Sequence, residues 1–202
     1  MTVTVWIVAL SLRGLCSAEG SEAGLVASYS FDEGRGELAR DTSGHGHHGQ
    51  IRGARYVRCG KGWALRLDGV NDYVDCGDPP ALRLSSGVSL EAWVYPEAVP
   101  VVGEAGILGK DYGSYVLTYY QDGQCWWYIS GGGNNCKAPL SAGAWHHVVG
   151  TFDGQFLRLY IDGRLAATRA SSSARIGAGG RFLIGTSGGD PQYTRGAHFK
   201  GL

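Results

Sequence analysis

WHHVVGTFDGQFLRLYIDG, residues 145–163, decides the fold. Two alternating apolar runs flank the tight polar turn Asp153-Gly154, and a second turn signal stands at Asp162-Gly163. Between the turns Phe156, Arg158 and Tyr160 fall on one face while Leu157, Leu159 and Ile161 fall on the other, which is the period of two of a half-buried strand. An Asp-Gly pair supplies the positive backbone angles that a hairpin turn requires. The stretch predicts antiparallel sheet.

Outward from this hairpin the same grammar repeats. Short apolar or alternating runs at 25–31, 54–58, 64–67, 73–76, 89–95, 105–110, 115–120, 125–130, 146–152, 156–161, 164–169 and 181–185 read as strands. Turn signals separate nearly all of them, among them Asp68-Gly69, Asp78-Pro79-Pro80, Pro96 and Asp122-Gly123. Residues 32–49 read as a polar, Gly-rich loop. Many short strands with no stretch of helical period predict an all-β, two-sheet antiparallel sandwich of the jelly-roll kind. No internal repeat or linker interrupts it, and 202 residues suffice for one such domain with a sizeable core.

Lys plus Arg equals Asp plus Glu at 18 each, so no net field steers the chain to nucleic acid or anionic lipid. A hydrophobic content of 44% argues against disorder. The apolar run at 3–12, followed by Cys16-Ser17-Ala18, predicts a cleaved leader over residues 1–18, although no Lys or Arg precedes the run. It is too short to span a bilayer, and the alternative is an extra buried strand. Cleavage leaves a single domain over 19–202 and a secreted, extracellular or periplasmic location. Four cysteines then remain, Cys59, Cys76, Cys125 and Cys136, an even set that suits disulfides in an oxidising compartment. Sequence proximity favours Cys59 with Cys76 and Cys125 with Cys136 among three pairings. No Cys-x-x-Cys spacing supports zinc or thiol redox chemistry.

The order YSFDEGRGELARDTSGHGHHG from Tyr29, GKGWALRLDGVNDYVDCG from Gly60, SLEAWVYP from Ser89, WHHVVGTFDG from Trp145, LYIDGRL from Leu159 and FLIGTSGG from Phe182 resembles the laminin G-like, concanavalin A-like jelly-roll domain, a group that includes the pentraxins. The resemblance implies that fold over most of 25–202 and a lectin-like role. Domains of the family usually finish with a strand of the type IDEVRVYNRAL beside the first strand, whereas this chain reaches Leu202 where that strand would begin. The expectation is an unpaired edge on the first strand, open to a protein partner.

Enzymes of this fold resemble one another in carrying paired acids on one strand, because retention at a glycosidic bond needs two carboxyls about 5 Å apart. The nearest pairs here, Asp32 with Glu33 and Asp72 with Asp75, sit in turns, and no Gly-x-Ser-x-Gly elbow is present. The expectation is a non-catalytic module, a degenerate glycoside hydrolase being the least favoured reading. Asp32, Asp41, Asn71 and Asp72 offer hard oxygen ligands in Gly-rich loops, which makes calcium the candidate ion. The alternative is that Asp41 and Asn71 cap turns through side-chain to backbone hydrogen bonds. His45, His47 and His48 read as a solvated loop, and His146 and His147 as structural.

Aromatic residues crowd the two strands joined at Asp122-Gly123. Sugar rings stack their C–H faces on Trp and Tyr while amides bond the hydroxyls. Tyr119, Tyr120, Gln124, Trp127, Asn134 and Asn135 are the predicted ligand-binding set. Alternation puts Trp126 and Trp127 on opposite faces, so at least one of them belongs to the core. The sequence thus predicts a secreted carbohydrate-binding or surface-recognition module, with a protein-adhesion module as the alternative.

Overall fold

The computed structural model describes residues 5–8 by their backbone, and 24–60, 62–110, 114–130, 133–171, 174–177, 179–187 and 198–202 in full. In chain order the strands are β1 (Val5–Val8), β2 (Leu25–Tyr29), β3 (Leu38–Ala39), β4 (Gly49–Arg52), β5 (Arg55–Cys59), β6 (Gly62–Asp68), β7 (Tyr73–Asp75), β8 (Val88–Val94) and β9 (Glu104–Gly109). They continue with β10 (Tyr115–Tyr120), β11 (Gln124–Ile129), β12 (Asn135–Pro139), β13 (His146–Phe152), β14 (Phe156–Ile161), β15 (Arg164–Ala170), β16 (Leu183–Ile184) and β17 (Lys200–Gly201). A 3-10 turn, Pro80–Leu82, opens on Pro80, whose fixed φ suits a first helical position.

Six strands form one sheet in the order β15-β14-β13-β8-β1-β2, and eight form the facing sheet in the order β12-β11-β10-β9-β16-β7-β4-β3. A small third sheet, β17-β6-β5, closes one end. Every ladder between these strands is antiparallel. The hairpin that opened the sequence reading is β13-β14-β15, with Val149 opposite Tyr160 and Tyr160 opposite Leu165. Asp162 and Gly163 turn it at φ values of 52° and 76°, the left-handed pair that a two-residue hairpin loop demands.

Alternation places the core between the two large sheets. Along β8, Val88, Leu90, Ala92 and Val94 are buried while Ser89, Glu91 and Trp93 are half-buried on the other face. The facing sheet contributes Tyr115, Leu117 and Tyr119 of β10 with Cys125, Trp127 and Ile129 of β11. Trp127 bridges the layers: its indole N–H donates to the Thr151 carbonyl at 3.0 Å, and a Cβ on Gly150 would lie 2.6 Å from its ring. Glycine at 150 is therefore required by the close approach of the two sheets.

Three expectations change. The 32–49 segment is not all loop, because Leu38–Ala39 and Gly49–Arg52 extend the eight-stranded sheet; two-residue pairing and Gly-rich flanks hide such strands from a periodicity argument. The first strand is not an open edge, since β1 lies antiparallel between β2 and β8 and Tyr29 bridges to Asp41 on the other side. Val5–Val8 is a strand by its backbone, and the expected cleavage site at 16–18 lies outside the described residues. Cys59, Cys76, Cys125 and Cys136 are all free thiols. Cys125 faces Ala138 and Cys136 faces Trp127, a diagonal offset, whereas Cys76 sits in the core beside Gly49 and Cys59 faces Gly62 at a half-exposed strand end.

Candidate functional site

The outer face of the eight-stranded sheet carries the residues whose parity excludes them from the core. Cross-strand register sets them in three rows: Lys137, Trp126, Thr118 and Gly106; Asn135, Tyr128 and Val116; Gln124, Tyr120 and Glu104. Tyr120 and Trp126 are half-buried, with ring centroids 5.4 Å apart and planes tilted by 48°. Tyr128, only 6% exposed, stacks on Trp126 at 5.4 Å and 14°. Two aromatic surfaces are therefore accessible, braced by a third beneath.

Asp122, in the turn between β10 and β11, organises the polar rim. Its carboxylate accepts the Trp126 indole N–H at 3.3 Å and the Gln124 amide at 3.0 Å, and pairs with Lys137 at 3.2 Å. The Lys137 ammonium lies 4.1 Å from the centroid of the Trp126 ring, which fixes the indole by a cation–π contact. On the other flank, the backbone of Thr186 and Ser187 presses onto Gly106, where a Cβ would come within 2.0 Å of the Ser187 nitrogen. This chain segment walls the face and buries Glu104 and Thr118 behind the aromatic pair. Burial pushes the Glu104 carboxyl up to about 7, with the neighbouring Thr118 and Ser187 hydroxyls offsetting only part of the effect. Glu104 Oε2 is buried without a hydrogen-bond partner.

Of the predicted ligand-binding set, Tyr120 lies on this face and Gln124 and Asn135 share its rows. Trp127 and Tyr119 do not, for their side chains are 0% and 1% exposed in the core, and the Tyr119 hydroxyl donates to the Leu140 carbonyl at 3.0 Å. Asn134 turns away to accept the Ser171 hydroxyl. Trp126, Glu104, Thr118 and Lys137 were not in that set. The missing signal was parity: Gln124 is polar and Cys125 apolar, so even-numbered residues of β11 face out, and Trp126 with them.

The predicted metal ligands do not assemble. Asp41 is a loop clamp, its Oδ1 accepting the Ser28 and Ser43 N–H groups at 3.0 and 2.9 Å and its Oδ2 the His47 N–H at 2.8 Å. Burial raises its pKa, but these donors and the Ser43 hydroxyl outweigh that effect and hold the carboxyl below the usual range. Asp72 is buried in another loop and accepts the Asp68 N–H at 3.0 Å; the Asn71 N–H donates to Asp68 Oδ1 at 3.3 Å; Asp32 is exposed. Among the described residues no three His, Cys, Asp or Glu side chains gather as a metal site. The turn-capping alternative describes Asp41.

One further cluster lies at the open end of β13. Ser141 Oγ is 2.8 Å from His146 Nε2, and His146 Nδ1 is 2.9 Å from Asp162 Oδ2, while Asp162 Oδ1 accepts the His147 N–H at 2.9 Å. His147 points to the other face, 2.8 Å from Glu91 and stacked on Trp93. The series ties the β14-β15 turn to β13.

No helix among the described residues is long and apolar enough to cross a membrane. A search of curated proteins returned no match. Solved structures share the fold. Domain 4 of AbnA, an extracellular arabinanase of Geobacillus stearothermophilus solved with arabinotriose, is 21% identical over 87% of each chain, with a TM-score of 0.63. The binding domain of Paraclostridial Mosquitocidal Protein 1 aligns over 82% of this chain and 44% of its own, at 14% identity and a TM-score of 0.62. The CBM40 of the Ruminococcus gnavus IT-sialidase, solved with sialyllactose, is 13% identical over 75% of this chain and 86% of its own, with a TM-score of 0.53. The profile of the concanavalin A-like lectin/glucanases matches residues 68–201, and with the jelly-roll topology around it the chain belongs to that superfamily.

Proposed function

We propose that the protein is a non-catalytic, extracellular carbohydrate-binding module whose ligand lies on the outer face of the eight-stranded sheet. The observation that carries this reading is the accessible Tyr120 and Trp126 pair, held rigid by Tyr128 and Lys137 and rimmed by Asp122, Gln124 and Asn135. Aromatic faces take the apolar side of a sugar ring, and the amides and carboxylates orient its hydroxyls. Likeness of fold to domains solved with arabinotriose and sialyllactose supports the class of ligand and leaves the glycan to be identified. Calcium belongs to this reading only as a requirement to be tested.

The test is a glycan-array screen of the folded protein, with calcium and with EDTA, followed by titration of the best ligand against two variants. Trp126→Ala lowers affinity at least tenfold with little change in melting temperature. Trp127→Ala loses about 3–5 kcal/mol of stability because it empties the core. Undiminished binding by folded Trp126→Ala overturns the site, and loss in EDTA assigns a role to the cation. A protein-adhesion reading is favoured by a different patch, the valines at 99, 101 and 102, which are 39%, 93% and 58% exposed around one groove. A folded sample that binds no glycan transfers the function to that patch.

A further inference from the structure

The half-buried indole of Trp126 has a neighbour on each flat side. Tyr128, two residues farther along β11, stacks on it with centroids 5.4 Å apart, and the Lys137 ammonium lies over the ring 4.1 Å from its centroid. Lys137 is opposite Trp126 in the ladder and is tied to Asp122, in the turn that precedes β11. Tyr128 and Lys137 therefore approach the indole from opposite ends of the strand. A sugar ring reaches the flat of the indole only where Lys137 lies.

The place that Lys137 fills is a receptor for a cation. Its ammonium has Asp122 Oδ2 at 3.2 Å and the indole face beneath it, and the Tyr120 ring stands beside, 5.4 Å from that of Trp126. Aromatic faces set around one ammonium are the arrangement that recognises ligand cations. The lysine is nevertheless loosely held: its side chain is 40% exposed and that of Asp122 31%, and an ion pair so exposed contributes little. Three donors keep the carboxylate in position when the lysine leaves. The Gln124 backbone N–H and the Trp126 indole N–H donate to Oδ1 at 3.1 and 3.3 Å, and the Gln124 amide donates to Oδ2 at 3.0 Å. Glu104, opposite Tyr120, adds a second acceptor, because its Oε2 is buried without a partner.

We propose that the ligand of this face is a glycan carrying free amino groups, a 2-amino-2-deoxy sugar whose ammonium replaces that of Lys137 between Asp122 and the Trp126 indole. The proposal rests on the carbohydrate-binding reading and names the class of sugar. Lys137 is then a built-in competitor, which keeps the indole and the carboxylate together in the empty site. It yields them to a cation that brings a ring with it, for the C–H face of the sugar adds a contact with Tyr120 that a bare ammonium lacks.

The test uses the full chain and three tetrasaccharides, of glucosamine, N-acetylglucosamine and glucose in the same linkage. They are titrated by calorimetry at a slightly acid pH that keeps the amine protonated. The glucosamine tetramer binds at least about fivefold more tightly than the other two. Lys137→Met, which keeps the apolar stem and removes the competing charge, tightens that binding by about threefold. Asp122→Asn brings the three tetramers within about twofold of one another, and both variants melt close to the wild type. Equal binding of the three tetramers, no gain in Lys137→Met, or an undiminished preference in Asp122→Asn overturns the proposal. If the three bind alike and Trp126→Ala abolishes them all, the carbohydrate reading stands without it. If none binds, the proposal falls, and the glycan array decides the broader reading by itself.

Discussion

Asp41 and Glu104 are both withdrawn from water, yet their environments push them in opposite directions. Asp41 accepts three backbone N–H groups and its folded pKa is depressed, so its contribution to stability is present above the unfolded carboxylate pKa and is lost as the pH falls through the folded value. Glu104 keeps an oxygen without a partner, and its folded pKa is raised to about 7 from 4.5. Its contribution is fully present below the unfolded value and is lost as the pH rises through about 7. Glu104→Gln is therefore expected to flatten the fall in stability between about pH 4.5 and 7, and to gain about 1–3 kcal/mol at pH 8. Urea unfolding of both proteins at pH 5 and 8 checks this; an unchanged pH difference removes Glu104 as its source. The amide also reports on the aromatic face, because Glu104 lies across from Tyr120.

At the level of strands and layers, one glycine sets the separation of the two sheets. Gly150 lies under the Trp127 indole, and neither can grow without moving the other. Gly150→Ala is expected to cost about 1–3 kcal/mol, read by thermal melting, with the proposed sugar binding unaffected because the outer face keeps its register. A wild-type melting curve would mean that the layers are less tightly apposed. The same pair shows how much was legible beforehand. Apolar runs bounded by turn signals identified β10, β13 and β14 to the residue, with alternation adding to the signal in β13 and β14. It also showed that Trp126 and Trp127 oppose each other, but choosing between them needed the polarity of Gln124 against Cys125. β3, β4 and β17 are two to four residues long and owe their pairing to neighbours distant in sequence, so local pattern carries no trace of them. Glu104 as a buried acid depends on the Ser187 segment folding over Gly106, a tertiary event.

For the molecule as a whole, stability rests on burial and backbone pairing with no covalent staple among the described cysteines. Burial raises the thiols of Cys76 and Cys136 to about 12 each and holds them protonated and inert at neutral pH. Melting curves with and without dithiothreitol are expected to coincide, and a drop of more than about 5 °C under reduction would reveal a bridge. Sequence spacing suggested bridges because neighbours in the chain are often neighbours in a hairpin; strand register offsets Cys125 from Cys136 by two residues. Register has a last consequence, for the topology of the chain. Leu202 stands opposite Tyr95 and Trp6 opposite Glu91, both on one edge of β8 and both antiparallel to it. One edge of β8 is thus completed by two segments far apart in the sequence, and bringing both onto it costs the entropy of closing the long stretch of chain between them.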